Sequence, residues 1–209
     1  DDGAGARPVV HEHLESELHI ARAHRDGEAL RQSVRARSRH VGHGVEHVQL
    51  EPHGLWFTPD PASRAISTVG GNIATNAGGL LCAKYGVTRE AVLGLKVVLA
   101  DGRLIELGHR TVKGVTGLDF TALMIGSEGT LGVIVEATVQ VRRLVAGVVP
   151  TISATFATVD DAARASAVIT ASGLHPSIME LIGDSAMAAI CAHLGIEHPG
   201  GSQLIIQTD

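Results

Sequence analysis

The stretch best equipped for chemistry is Ser67-Thr68-Val69-Gly70-Gly71-Asn72-Ile73-Ala74-Thr75-Asn76-Ala77-Gly78-Gly79, followed closely by Lys84-Tyr85-Gly86. Two glycine pairs flank an Asn-x-x-Thr-Asn core. A diphosphate is bulky and anionic. It binds where successive backbone N–H groups point into one concavity with no Cβ in the way. Paired glycines make that room, and Asn and Thr side chains can donate to and accept from the polar edges of a heterocycle. The competing reading is purely structural: two tight turns about a short helix capped by Asn72, since Gly-Gly marks turns in general.

Two further segments bear on the choice. Thr58-Pro59-Asp60-Pro61-Ala62-Ser63-Arg64 is a turn just upstream. Gly126-Ser127-Glu128-Gly129-Thr130-Leu131-Gly132-Val133-Ile134 leads into a long alternating strand. In this order and spacing, the three segments resemble the FAD-binding domain of the vanillyl-alcohol oxidase superfamily. The branch is that of glycolate oxidase flavoprotein subunits, D-lactate dehydrogenases and D-2-hydroxyglutarate dehydrogenases. The resemblance runs from about Gly54 to Arg143 and more loosely to about Asp184.

The resemblance implies an α+β fold: the later part of a PCMH-type FAD-binding domain, then the start of an α+β, ferredoxin-like cap. It implies FAD as cofactor and an FAD-linked 2-hydroxy-acid dehydrogenase or oxidase, with a small 2-hydroxy-acid substrate and an unspecified electron acceptor; the alternatives are another superfamily activity, of the alkyl-glycerone-phosphate synthase or sugar-lactone oxidase type, or a truncated, non-catalytic flavin-binding remnant. Site roles follow position by position. Pro59 and Asp60 match a turn against the cofactor. Gly70, Gly71 and Asn72 match the segment that wraps the diphosphate and flavin, and Thr75, Asn76, Gly78 and Gly79 continue that wall. Gly86 matches a further close backbone approach. Glu128, Gly129, Gly132 and Ile134 match the segment beside the nucleotide. No catalytic residue and no metal ligand is assigned within the chain, because the histidines that bind metal and substrate in this family are expected beyond Asp209. Glu180, on a cap strand, is given no catalytic role. Two features depart from the pattern: Leu118 stands where the family often has Tyr, and no Gly-Thr-rich first diphosphate loop is found in residues 1–53.

The elements that must position these residues can be read from pattern. Leu93–Ala100 is strand-like, Asp101-Gly102 gives a two-residue turn, and Leu104–Leu107 completes a hairpin. Asp119 caps a short helix through Met124. Val133, Val135, Ala137, Val139 and Val141 alternate with Ile134, Glu136, Thr138, Gln140 and Arg142, which predicts one core-facing side. Beyond Val145 the pattern is strand (Thr151–Phe156), helix from Thr158 to Gly173, strand (Ile178–Ile182), helix from an Asp184 cap to Gly195, and strand from Leu204. The expected organisation is an atypical segment 1–53, the second half of an FAD-binding domain at 54–144, and a partial substrate or cap domain at 145–209.

Residues 1–53 stand apart. They are rich in Arg and His, with a weak helical pattern over Leu14–Val34. Arg35-Ala36-Arg37-Ser38-Arg39-His40 has the texture of a GC-rich coding sequence read out of frame, in which case the segment is expected to pack poorly; the alternative is a divergent surface segment. The chain starts at Asp1 rather than Met and stops where a strand is expected, so it reads as a fragment or a processed product.

Bulk composition narrows the classes. A hydrophobic share of 44% with only 2% aromatics implies an aliphatic core. A net charge of −5 and the lack of a basic stripe argue against nucleic acid. No apolar run is long enough for a membrane span. Cys82 and Cys191 are read as free thiols in a reducing compartment. The expected location is cytoplasmic, or peripheral to the inner membrane. Gly42-x-Gly44 lacks the third glycine of a dinucleotide loop, and His11-Glu12-His13 and His43…His47 lack credible metal-ligand spacing.

Overall fold

The computed structural model describes residues 18–21, 32–36, 50–109, 111 and 114–209. Within them, the first unit contains β1 (Leu18–Ala21), β2 (Gln32–Ala36), β3 (Leu55–Trp56), α1 (Val69–Thr75), α2 (Cys82–Tyr85), α3 (Thr88–Ala91), β4 (Val92–Val98), β5 (Leu104–Gly108), α4 (Phe120–Met124) and β6 (Val133–Arg143). The strands run β1-β2-β6-β4-β5, with β3 paired to the end of β6 through Leu55↔Arg143 and Trp56↔Arg142. Every pairing is antiparallel. The core between sheet and helices is mostly aliphatic; Leu50, Phe57, Ile73, Val97 and Val139 are its most enclosed members.

Three expectations change here. The helical reading of Leu14–Val34 fails wherever the segment is described. Leu18–Ala21 and Gln32–Ala36 are strands, and β2 is tied to β6 from Gln32↔Val141 to Ala36↔Ala137. Without a coherent apolar face, local helix propensity has nothing to pack, and the free edge of β6 offers a full ladder of partners. The expectation of poor packing over 1–53 lies largely outside the described residues, as do His11-Glu12-His13, Gly42-x-Gly44 and His43…His47. Leu50, within that segment, is fully buried in the core.

The hairpin turn is one residue longer than expected. The Leu99 N–H donates to Arg103 O and the Gly102 N–H to Leu99 O, with φ +84° at Gly102 alone. This is a three-residue loop with glycine in the left-handed position, not a two-residue turn with Asp101 and Gly102 both at positive φ.

The alternation in β6 holds only over its second half. Ala137, Val139 and Val141 are buried as predicted. The register then steps from Lys96↔Glu136 to Val97↔Ile134, leaving Val135 as the extra residue of a bulge. One added residue exchanges the two faces of a strand. Ile134 therefore joins the core, Val135 is half-buried and Val133 is exposed. Glu136, on the opposite face, is 9% exposed, with the Lys96 ammonium at 3.6 Å.

The second unit follows the predicted order: β7 (Thr151–Phe156), α5 (Val159–Ala171), β8 (Ile178–Ile182), α6 (Asp184–Leu194) and β9 (Ser202–Gln207). β9 lies between β7 and β8 and is antiparallel to both, so β7-α5-β8 is a split β-α-β unit. The Thr158 hydroxyl caps α5, accepting from the Asp161 N–H at 3.1 Å. Asp184 is the first residue of α6 rather than its cap; Gly183 holds that place with no side-chain bond.

Candidate cofactor-binding site

The glycine-rich stretch folds as α1. Thr68 is extended and its Oγ1 accepts the Gly71 N–H at 3.0 Å, which starts the helix. Val69 and Ile73, one turn apart, bury one face together with Asn72. The opposite face carries Gly71 and Thr75, both exposed, with Gly70 at its edge. The Thr75 hydroxyl donates back to Gly71 O at 3.0 Å. Asn76 ends the helix at φ 50°, and its Oδ1 accepts the Arg89 N–H at 3.0 Å, fixing the entry to α3. Asn72 therefore lies inside the helix, and the capping is done by Thr68 and Asn76.

Two glycines in one short helix cost it about 1 kcal/mol each relative to alanine. At Gly71 the fold explains the choice, since a Cβ would press on Thr68 Oγ1 at 3.1 Å. At Gly70 it does not: a Cβ there would meet nothing within 4 Å. The N–H groups of Val69 and Gly70, in the first turn, have no acceptor within the helix. Bare backbone donors beside unfilled space are what an anionic group requires.

The wall is braced from behind. Pro59 is buried, and Asp60 Oδ1 accepts the Leu81 N–H at 3.1 Å. Burial pushes the Asp60 carboxyl above its ordinary range, against the pull of the Leu81 N–H and Arg64. A Cβ on Gly79 would collide with Asp60 O and Oδ1. The Gly79 N–H donates to Cys82 Sγ at 3.0 Å. Gly78 is exposed, with Val87 and Cys82 at contact distance from where its Cβ would stand. Gly86 closes α2 at φ 77°, packed on the Glu90 side chain.

The third segment docks on the end of α1. The Gly126 N–H donates to Ile73 O at 3.0 Å and the Glu128 N–H to Ala74 O at 2.9 Å. Glu128 is left-handed at φ 51°, between Gly126 and Gly129, both at φ 82°. Gly132 passes over β4, where a Cβ would come 2.9 Å from Val98 O. Ile134 packs into the core.

All three sequence segments thus meet around α1. Within them the roles divide. Gly70, Gly71, Thr75, Gly78 and Gly129 face outward or into open space. Pro59, Asp60, Asn72, Asn76, Gly79, Gly86, Gly132 and Ile134 shape the wall from within or at its edges. Sequence reasoning missed Thr68 and Thr88. Thr68-x-x-Gly71 carried a visible capping signal. Thr88 is fully buried and donates through both N–H and Oγ1 to Ala77 O, at 3.1 and 2.7 Å, a long-range role with no local signature. The Ser67 hydroxyl, at the entry to the wall, is buried with no partner among the described residues.

A separate cleft of about 640 Å³ lies between β4, β5 and the segment leading into α4, lined by Leu93, Leu107, His109, Leu118 and Phe120 among others. None of the wall residues lines it. Both cysteines are free. Among the described residues no group of three or more His, Cys, Asp or Glu could hold a metal, and no helix is long and apolar enough to cross a membrane.

Comparison with known proteins gives concordant matches. A family model described as an FAD binding domain matches residues 29–108, and one described as the C-terminal domain of FAD linked oxidases matches residues 146–209. The first includes 29–53, which composition had set apart. The glycolate oxidase subunit GlcD of Bacillus subtilis is 40% identical over 77% of this chain and 34% of its own length. A D-lactate dehydrogenase of Archaeoglobus fulgidus is 45% identical over 58% of this chain and 28% of its own. A solved alkyldihydroxyacetonephosphate synthase superposes with a TM-score of 0.65 at 25% identity, over 84% of this chain and 34% of that one. The chain spans about a third of the length of such relatives.

Proposed function

This chain belongs to the FAD-linked oxidase family, and from that premise we propose that α1 and the 126–134 segment hold FAD in a protein that oxidises a small 2-hydroxy acid of the glycolate, D-lactate or D-2-hydroxyglutarate type. The observation that carries the reading is Gly70. It weakens a helix whose fold does not need it, and the place its Cβ would take is open, beside first-turn N–H groups that have no acceptor within the helix. The residues present fit the group: exposed Gly71 and Gly78 admit close approach, and Glu128 is held left-handed at the edge of the same wall. We assign Pro59 and Asp60 to this site as its brace, with Gly79, Gly86 and Gly132 fixing its shape.

The chemistry FAD supplies is that of an acceptor, at flavin N5, for the hydride leaving the substrate α-carbon. The protein's part is to orient the cofactor, and the wall does this through backbone N–H groups. We assign to the split β-α-β unit, whose β8 lies against α2, the task of keeping water from the reacting centre. We assign no residue of this chain as the base for the hydroxyl proton or as the cation for the carboxylate. We place the protein in the cytoplasm or peripheral to the inner membrane, and leave the electron acceptor unassigned.

The test is the visible spectrum of the full-length protein, followed by anaerobic titration with glycolate, D-lactate and D-2-hydroxyglutarate. Bleaching of the flavin by one of them is the expected result. Retained flavin that none of them bleaches would favour chemistry of the alkyldihydroxyacetonephosphate synthase kind, whose solved fold this chain shares. Colourless protein that takes up no added FAD would overturn the cofactor assignment.

A further inference from the structure

We propose that Asp209 latches the β7–β9 sheet to the glycine wall through Lys84 and Tyr85. Among the described residues, the two units meet chiefly where α2 lies against β8. At that contact the Asp209 carboxylate is shared. Oδ1 accepts from Lys84 Nζ and Oδ2 from the Tyr85 hydroxyl, while Lys84 Nζ also reaches the Asp209 backbone carbonyl at 3.2 Å. The Asp209 side chain is 7% exposed, and Lys84 and Tyr85 hold its charge.

Each end of the latch is anchored in its own unit. Tyr85 and Trp56 are the chain's one tyrosine and one tryptophan, and they pack edge to face, 5.2 Å between centroids at 89°. The Arg142 guanidinium lies 5.2 Å from the Tyr85 ring centre. Trp56 Nε1 donates to Arg143 O at 3.0 Å. Tyr85 is thus fixed by both β3 and the end of β6. At its other end α2 is tied to the wall by Gly79 N–H to Cys82 Sγ and by Leu81 N–H to Asp60 Oδ1. On the far side, the Thr208 N–H donates to Pro150 O, which binds the residue before Asp209 to the start of β7. Burial opposes the charge on Asp209, but the Lys84 and Tyr85 bonds outweigh it and hold the carboxyl below its ordinary range. Burial and the same carboxylate push the Tyr85 phenol well above its own.

The consequence is mechanical. A force that parts the sheets must break two charge-assisted hydrogen bonds at a point one short helix away from Gly79. The inference does not depend on the cofactor assignment, because it can be read without flavin. The experiment is hydrogen exchange by mass spectrometry on the full-length protein, comparing wild type, Asp209→Asn, Tyr85→Phe and the double variant. Asp209→Asn should speed exchange of the 82–86 amides about three- to tenfold, although the change lies in the other unit, and Tyr85→Phe should do the same to 202–208. The double variant should exchange no faster than the faster single. Tyr85→Phe removes one oxygen and leaves the ring on Trp56, so it gives the reading alone if Asp209→Asn protein fails to accumulate. Effects confined to the mutated side, or effects that multiply in the double variant, would overturn the latch.

Discussion

Asp60 lies across Gly79 so closely that its carbonyl and carboxylate oxygens occupy the space a side chain on Gly79 would need, while the same carboxylate receives the Leu81 N–H at 3.1 Å. The turn upstream of the glycine wall is therefore part of the wall's support. Gly79→Ala must push backbone against backbone, and overpacking of this kind costs about 1–3 kcal/mol. A fall of several degrees in Tm is expected. Melting within a degree of wild type would show that the contact yields.

Gly70 predicts the opposite sign. Its Cβ position is open and its backbone is helical, so Gly70→Ala should stabilise the cofactor-free protein by about 0.5–1 kcal/mol. The same methyl group would stand where we place the cofactor, so flavin retention should fall. Urea denaturation of apoprotein and the flavin content of purified protein, measured on one variant, separate the two effects. A gain in stability with full flavin occupancy would remove Gly70 from the site.

Glu128 is a non-glycine residue at φ 51°, where a Cβ crowds the following carbonyl. Relieving that conformation is worth about 1 kcal/mol. Glu128→Gly should therefore raise apoprotein stability by up to about that amount, while Glu128→Val, branched at Cβ, should lower it. Paired denaturation curves decide it; identical midpoints for the two variants would mean that the loop relaxes freely.

Asp60 gives a pH dependence. Its folded pKa is raised, first by burial. A group raised on folding contributes stability that is complete below its unfolded pKa and is lost as pH rises through its folded pKa. Asp60→Asn keeps an oxygen to accept the Leu81 N–H and has no charge to desolvate. Its advantage over wild type should thus be greatest at neutral pH and shrink as pH falls through the carboxylate range. Denaturation midpoints for both proteins between pH 3.5 and 7 provide the check. A difference that stays constant across that window would contradict the assignment.

Local signals carried much of the fold. Thr151–Phe156 and Ile178–Ile182 are strands with the predicted bounds, and Asp119 and Thr158 cap the helices that follow them. These features depend on alternation and on side chains reaching backbone within three residues, so the linear sequence contains their physics. Features that depend on a partner far along the chain were not legible. The bulge at Val135 exists because β4 sets its register. β2 is a strand because β6 offers it an edge. Thr88 matters because Ala77 O comes within its reach.

The site divides along the same line. The sequence by itself determined which segments would gather around α1, because paired glycines, Asn76 and the Gly126–Gly132 run carry backbone requirements that few other residues satisfy. Only the tertiary structure decided which of those residues face the open wall and which support it. Gly70 and Gly79 look equivalent in sequence. One borders empty space and the other lies beneath Asp60, a residue 19 positions earlier in the chain. A glycine's meaning depends on what stands where its side chain would have been, and that neighbour is supplied by the fold.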